Sequence, residues 1–225
     1  MTWHDVLFMH WPLPPARLLP LLPPGLELDL FEGRAFIGVV PFTMSGVGPR
    51  CVPGVPGLSA FPEVNVRTYV VRRGTPGVWF FSLDAGSRLA VRAARRLFHL
   101  PYFDATFDVG RMPAGGTHYR SRRTHRGAPP ASLDVEYAPT GPATDAPAGS
   151  LHRWLSDRLC LYAADRRGTI FRADVEHGPW PLQPASVALR DNRMTALIDL
   201  ALPEPPPLTH FARQLDVTAW WRERV

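Results

Sequence analysis

The stretch Glu63-Val-Asn-Val-Arg-Thr-Tyr69 alternates polar and apolar residues without a break. Successive side chains of a strand point to opposite faces, so Glu63, Asn65, Arg67 and Tyr69 share one face and Val64, Val66, Thr68 and Val70 the other. In a closed or strongly curled sheet, one such face is core and the other is lumen or solvent. A carboxylate, an amide, a guanidinium and a phenol on one face suit a small polar ligand. The guanidinium grips a carboxylate, and a glutamate raised in pKa by burial can move a proton. The same spacing also fits a solvated face carrying an ordinary Glu63–Arg67 ion pair.

Outward from this strand the chain reads as short strands joined by turns. The 26 prolines and 18 glycines, together 44 of 225 residues, exclude a long-helix bundle. Strands are expected at Val6 to Trp11, Val78 to Asp84, Phe103 to Val109, His118 to Thr124 and Leu133 to Tyr137. Further strands are expected at Leu159 to Ala163, Thr169 to His177, Ser186 to Arg190 and Phe211 to Trp220. Leu26 to Phe31 and Arg34 to Met44 read as a hairpin around Glu32-Gly33. Pro14 to Leu22 and Leu151 to Asp157 are helical turns at most. Ser87 to His99 is the one convincing helix, with Leu89, Ala93 and Leu97 and their neighbours Ala90, Ala94 and Phe98 as its apolar face and Pro101 as its stop. Gly46 to Ala60 is a loop of lid or binding-loop length, and Pro139 to Gly149 a linker. The expected class is α+β, mostly antiparallel β, in a single domain spanning residues 1–225.

All 25 cations behind the net charge of +5 are arginine; the chain contains no lysine, so no lysine Schiff base can form. The arginines are spread along the chain. Their two concentrations, Arg88, Arg92, Arg95, Arg96 with His99, and Arg120, Arg122 with Arg123, read as solvated surfaces, and no nucleic-acid partner is expected. The eight histidines show no ligand spacing, so neither a metal nor another cofactor is expected. Cys51 and Cys160 read as free thiols. No apolar run reaches the roughly 18 residues of a membrane helix. Met-Thr-Trp-His-Asp5 lacks the cationic-then-apolar pattern of a signal peptide, so the expected location is the cytoplasm, with no membrane partner.

Phe61-Pro-Glu-Val-Asn-Val-Arg-Thr-Tyr69, Phe80-Phe-Ser-Leu-Asp84 and Phe98-His-Leu-Pro-Tyr102 resemble the domain-of-unknown-function family 2071, as do His10-Trp-Pro12, Leu22-Pro-Pro-Gly-Leu26 and Pro179-Trp-Pro-Leu-Gln-Pro184. That family is grouped with the acetoacetate decarboxylase-like superfamily. The resemblance implies a β-barrel-like cone with a central cavity and few helices. Position by position it places Glu63 on the superfamily's substrate-handling glutamate, Leu83-Asp84 on its Leu-Asp pair and Pro101 on the proline before two lysines. Tyr102-Phe103 replaces that lysine pair, whose first member is the Schiff-base nucleophile. The first-strand arginine is missing as well, with Trp11 and Pro12 near its position, and Arg67 could take over anion binding.

Decarboxylation through an imine is therefore excluded on chemical grounds. Two readings remain for a small-molecule ligand, which is expected to bear a carboxylate because Arg67 asks for an anion. In the first, an acid–base enzyme of lyase, hydratase or isomerase type uses Glu63 as base and Tyr102 as hydrogen-bond donor to a developing oxyanion. Asn65, Arg67, Tyr69, Ser82 and Asp84 then bind the substrate. In the second, the same cavity holds a small organic anion without catalysis. Assembly into a homo-oligomer is left open by the sequence.

Overall fold

The computed structural model describes residues 1–48, 59–113 and 115–225. In chain order the strands and helices are β1 (Thr2–Leu13), α1 (Pro15–Leu18), β2 (Glu27–Leu28), β3 (Ala35–Ser45), β4 (Phe61–Arg72), β5 (Thr75–Ala85), α2 (Arg88–Leu97), β6 (Tyr102–Arg111) and β7 (Thr117–Arg123). There follow β8 (Ser132–Pro139), β9 (Thr144–Asp145), α3 (Leu151–Ser156), β10 (Cys160–Ala164), β11 (Ile170–His177), β12 (Pro181–Asn192), β13 (Leu208–Ala219) and β14 (Glu223–Arg224). Two 3-10 turns cover Leu19–Leu21 and Met194–Ile198. The fold is a mostly antiparallel β-sheet with few short helices.

The described strands run β14-β11-β10-β5-β6-β7-β8-β12-β13-β1-β3-β4-β2 across the sheet, and β4 also pairs with β5. Only β5–β6 and β5–β10 are parallel among these pairs. A parallel pair needs a crossover, and α2 supplies it between β5 and β6. Ser87 accepts from the Ala90 N–H at the start of this helix, and Phe98 follows its last turn before Pro101 removes a backbone donor.

The face that α2 turns to the sheet is the expected one only in part: Ala90 packs against the core, and Phe98 just past the helix does too, but Leu89 and Leu97 do not. Val91 is fully buried beside Ala90, whereas Leu89 is 63% and Leu97 41% exposed. The sequence offers apolar residues on more than one stripe of this helix. Tethers to β6 settle the choice: Arg92 donates twice to Asp104, and Arg95 donates to the Tyr102 carbonyl. Part of the arginine stripe read as a solvated face is thus spent on holding the helix down.

The expected hairpin around Glu32-Gly33 is also corrected. Phe31 and Arg34 exchange backbone hydrogen bonds, and Glu32 and Gly33 both have positive φ, so the turn forms. The chain before it then leaves β3: Glu27 pairs with Val71 and Leu28 with Val70 on β4. The edge of β4 needs a partner there, and β2 provides it. Of the loop from Gly46 to Ala60, residues 49–58 lie outside the described residues, and Cys51 with them. Cys160 is a buried free thiol, and burial raises its pKa. The expected linker from Pro139 to Gly149 carries β9, which pairs with β12.

Both faces of β4 are buried. Val64 and Val66 join Leu7, Met9, Trp11, Val39, Tyr119, Val135 and Phe211 in one apolar cluster. The opposite face of the same strands carries Phe8, Val40, Phe42, Phe61 and Ala85, capped by Val91 of α2 and by Trp180 and Leu182. Farther along that face Tyr69 packs with Phe36, Leu83 and Leu155 of α3. The alternation read in the sequence therefore separates two interior faces rather than core from solvent, because α2, α3 and the segment at Trp180 form a second layer over the polar side.

One ion pair spans the sheet. Arg123 on β7 donates from Nε and Nη2 to both carboxylate oxygens of Asp84 on β5, with both side chains 1% exposed. Burial pushes the Asp84 carboxyl up while Arg123 pulls it back down. Removing one member of such a pair leaves an uncompensated buried charge. Arg123→Met should cost about 3–5 kcal/mol at neutral pH. Adding Asp84→Asn to it should recover part of that loss. Urea unfolding of the two single variants and the double variant measures both quantities, and additive losses would contradict the pairing.

Candidate functional site

Register places the residues of the polar face. On β4, Glu63 pairs with Phe42 and Ala85, and Asn65 with Val40 and Leu83. Leu83 in turn pairs with Tyr102 across the parallel β5–β6 contact. Directly paired residues share a face, so Tyr102 projects to the side of Asn65 and Glu63. Its phenol donates to Glu63 Oε2 at 2.7 Å. Tyr119 anchors the same residue from below by donating to the Glu63 backbone carbonyl at 2.7 Å.

Glu63 is 2% exposed. Burial raises its pKa from 4.5 to about 7, opposed by hydrogen bonds from Tyr102 and Asn65. The Tyr102 phenol is pushed well above its usual range, by burial first and then by the Glu63 charge. At neutral pH the pair therefore consists of a carboxyl near its titration midpoint and a fully protonated phenol. A carboxyl in this range can take up or release a proton near neutral pH, while the single proton of the phenol is held by Glu63 Oε2.

Arg67 lies farther along the same face and is 7% exposed. Its Nε and Nη2 have no hydrogen-bond partner among the described residues. The guanidinium carbon sits 5.3 Å from the Phe8 ring centre and 5.9 Å from that of Tyr69. The expected alternative of a solvated Glu63–Arg67 pair is not what forms: Glu63 is held by Tyr102 and Asn65, and both side chains are buried. Asn65 Oδ1 is likewise buried without a partner among the described residues.

Tyr69 shares the face, but its hydroxyl is occupied. It donates to the Leu155 carbonyl at 2.9 Å and contacts His10 Nε2 at 2.7 Å. Ser82 and Asp84 do not join the row. They pair with Val66 and Val64 respectively, so they project from the opposite face of the sheet. This corrects the expectation that they face the same site; from Ser82 to Ala85 the period of two follows β4 in register, and Leu83 and Ala85 take the polar-row side instead. Asp84 is already bound to Arg123.

Sequence reasoning passed over His10. It is 1% exposed, on the face of Phe8, and burial together with the Arg67 charge pushes its pKa well below the usual histidine value. The signal that could have found it was its position as a polar residue inside the apolar run Val6 to Trp11 and within the His10-Trp-Pro motif. The described residues contain no group of three or more His, Cys, Asp or Glu side chains able to hold a metal ion, and no helix among them is long and apolar enough to cross a membrane. Two surface grooves are lined by other residues, one by Arg72, Tyr162, Arg172 and Glu223, the other by Met1, Glu176, His177 and Asp216.

A family model described as an uncharacterized conserved protein, the domain-of-unknown-function family 2071, matches residues 1–216. The chain belongs to this family. It is 41% identical over 219 residues to the uncharacterized protein YqjF of Bacillus subtilis, covering 97% of this chain and 89% of that one. Among solved structures, an acetoacetate decarboxylase aligns with a TM-score of 0.68 at 14% identity, over 100% of this chain and 88% of the other. The enduracididine biosynthesis enzyme MppR complexed with pyruvate aligns with a TM-score of 0.64 at 15% identity, over 99% and 88%. An acetoacetate decarboxylase-like enzyme from Sphingomonas wittichii aligns with a TM-score of 0.60 at 17% identity, over 100% and 91%. The chain thus has the acetoacetate decarboxylase-like fold, and its Tyr102-Phe103 dipeptide stands at the start of β6.

The Glu63–Tyr102 bond has a measurable sign. A carboxyl whose folded pKa exceeds its unfolded value binds more protons in the folded state, so it lowers stability as pH rises from about 4.5 to about 7. The full effect is roughly 3 kcal/mol. The depressed pKa values of His10 and His210 act in the opposite direction as pH falls below the ordinary histidine value. The difference between wild type and Glu63→Gln isolates the glutamate: the variant should gain on the wild type steadily across that window. In Tyr102→Phe the carboxyl loses a donor, and the window should extend upward. Parallel stability curves for wild type and Glu63→Gln from pH 4.5 to 7 would mean that the carboxyl is not raised.

Proposed function

We propose that this protein binds a small organic carboxylate on the buried polar face of β4 and acts on it by acid–base chemistry. The observation that carries this reading is Arg67. A buried guanidinium without a carboxylate partner is costly, and two unsatisfied N–H groups on one fork match the two oxygens of a carboxylate. In the proposed complex the carboxylate sits on Nε and Nη2 of Arg67. Asn65 orients the ligand, and Tyr69 contributes the wall of its ring. Glu63 takes the proton, and once protonated it donates to the Tyr102 oxygen, which frees the single phenol proton for an oxygen that gains negative charge. Ser82 and Asp84 have no part in this arrangement.

The fold neighbours add two considerations. MppR is described in complex with pyruvate, a small 2-oxo acid. The acetoacetate decarboxylases share the scaffold, but imine chemistry needs an amine side chain, and this chain has no lysine. We further propose that the sheet closes as a barrel-like cone: pairings from β4 through β5, β6, β7, β8, β12, β13, β1 and β3 return to β4. The cluster around Val64 and Val66 draws on strands all round this circuit, so the proposed ligand lies on the other face, beneath α2, α3 and Trp180. The second reading, binding without catalysis, uses the same Arg67 contact and differs only in whether Glu63 turns over.

A thermal-shift screen against acetate, propanoate, pyruvate, lactate and malate tests the reading. A ligand at 100 times its Kd stabilises by about 2.7 kcal/mol, a rise of several degrees for a chain this long. Arg67→Met should abolish the shift while leaving the unliganded protein as stable as wild type or more so, by up to roughly 4 kcal/mol, since an apolar side chain of similar size escapes the desolvation cost. No response to any of the acids beyond that to chloride at equal ionic strength, or an undiminished response in Arg67→Met, would overturn the proposal.

A further inference from the structure

The polar face leaves hydrogen-bonding groups of both signs without partners among the described residues. Arg67 offers two N–H donors, Nε and Nη2, and the acceptors are Asn65 Oδ1 and His10 Nδ1. The histidine is an acceptor because of its neighbours. The Leu155 carbonyl can only accept, so the single Tyr69 O–H proton goes to it. The 2.7 Å contact between Tyr69 and His10 Nε2 must then be donated by the ring, which puts the imidazole proton on Nε2. Nδ1 is left as a bare lone pair on a side chain 1% exposed.

The same two rings bound the free groups of His10 and Arg67. His10 stacks on Phe8 with ring centres 6.0 Å apart and lies 5.9 Å from the Tyr69 ring. The Arg67 guanidinium lies over Phe8 at 5.3 Å and Tyr69 at 5.9 Å. Gly38 lets both side chains lie close over its backbone: a Cβ there would come within 3.0 Å of the Nε2–Cδ2 edge of His10 and 3.5 Å of Arg67 Cγ. On the carboxylate reading, a ligand held by the Arg67 fork is bounded by the same rings as the Nδ1 lone pair, and the group that satisfies a lone pair is a hydroxyl.

We propose that His10 is a ligand-binding residue that accepts a hydrogen bond from the 2-hydroxyl of a 2-hydroxycarboxylate, so that the site prefers such acids to 2-oxo acids and to unsubstituted ones. This rests on the carboxylate reading of Arg67. A 2-oxo oxygen has no proton to give and would set its own lone pairs against Nδ1 and Asn65 Oδ1. An ammonium group could donate, but it would bring a second cation beside the guanidinium. Leaving a buried acceptor unpaired costs more than a made bond returns, so the discrimination should be substantial.

Four three-carbon acids separate the possibilities: lactate, pyruvate, propanoate and alanine, titrated calorimetrically into the whole protein. Lactate should bind about tenfold more tightly than pyruvate or propanoate. In His10→Gln the amide nitrogen can still donate to Tyr69, while the amide oxygen projects from the carbon beside that nitrogen and leaves the Nδ1 position itself without an acceptor. The lactate advantage should vanish there, with the propanoate affinity little changed. Equal binding of the three acids, or tightest binding of alanine, would overturn the hydroxyl assignment and leave the carboxylate reading standing. Failure of all four to bind would overturn both. An unchanged lactate preference in His10→Gln would remove His10 from the site. Should that variant not fold, nitrogen NMR of labelled histidine in the wild type decides: a proton on Nε2 with an Nδ1 resonance moved by lactate and not by propanoate supports the assignment, and a proton on Nδ1 overturns it.

Discussion

The constraint on which the rest depends is that β4 is buried on both faces. A strand covered on both sides usually carries apolar residues throughout. This one places a carboxylate, an amide and a guanidinium inside the protein, and each must find a partner there or be left at a cost. Glu63 obtains Tyr102 and Asn65. Tyr69 obtains Leu155 and His10. Arg67 does not reach a carboxylate among the described residues, although the same sheet does provide one for Arg123. The two arginines are similarly enclosed and unequally satisfied. Asp84 and Arg123 form a closed unit that holds β5 against β7, whereas Nε and Nη2 of Arg67 have no partner among the described residues.

Topology brings Glu63 and Tyr102 together. Glu63 and Tyr102 are separated along the chain by a hairpin and a helix, and a parallel β5–β6 contact requires such a crossover. Because the crossover ends at Pro101, the next residue enters β6 directly opposite Leu83, itself the partner of Asn65. The phenol is thereby fixed on the polar face without any long loop. Tyr119 then ties the backbone of Glu63 to β7 from the apolar side, so the carboxyl is held from two directions.

Period-two alternation makes the composition of each β4 face legible from the residues alone, because alternation is local geometry. It does not say what covers each face. The second layer comes from residues far along the chain, Leu155 and Trp180 among them, and no local pattern joins them to Glu63. Ser82 and Asp84 escape the local pattern for a related reason. The phase of one strand against the next is set by pairing, which opposes Ser82 to Val66 and Asp84 to Val64. The face of α2 is only half readable, since Arg92 and Arg95 choose it through contacts with β6. His10 is legible only as an anomaly, one polar residue in a run of core, and its meaning depends on a phenol 59 positions away.

The lack of lysine is compatible with this scaffold because desolvation treats acids and amines oppositely. Burial favours the uncharged form of either, which lowers an amine toward neutrality and raises a carboxyl toward it. A scaffold that encloses its site can thus bring either kind of group to titrate near pH 7. In this chain the group brought there is Glu63, at about 7, and its neighbour Tyr102 stays protonated because the same burial pushes the phenol away from neutrality. The chemistry open to such a pair is proton transfer and oxyanion stabilisation rather than covalent capture of a carbonyl.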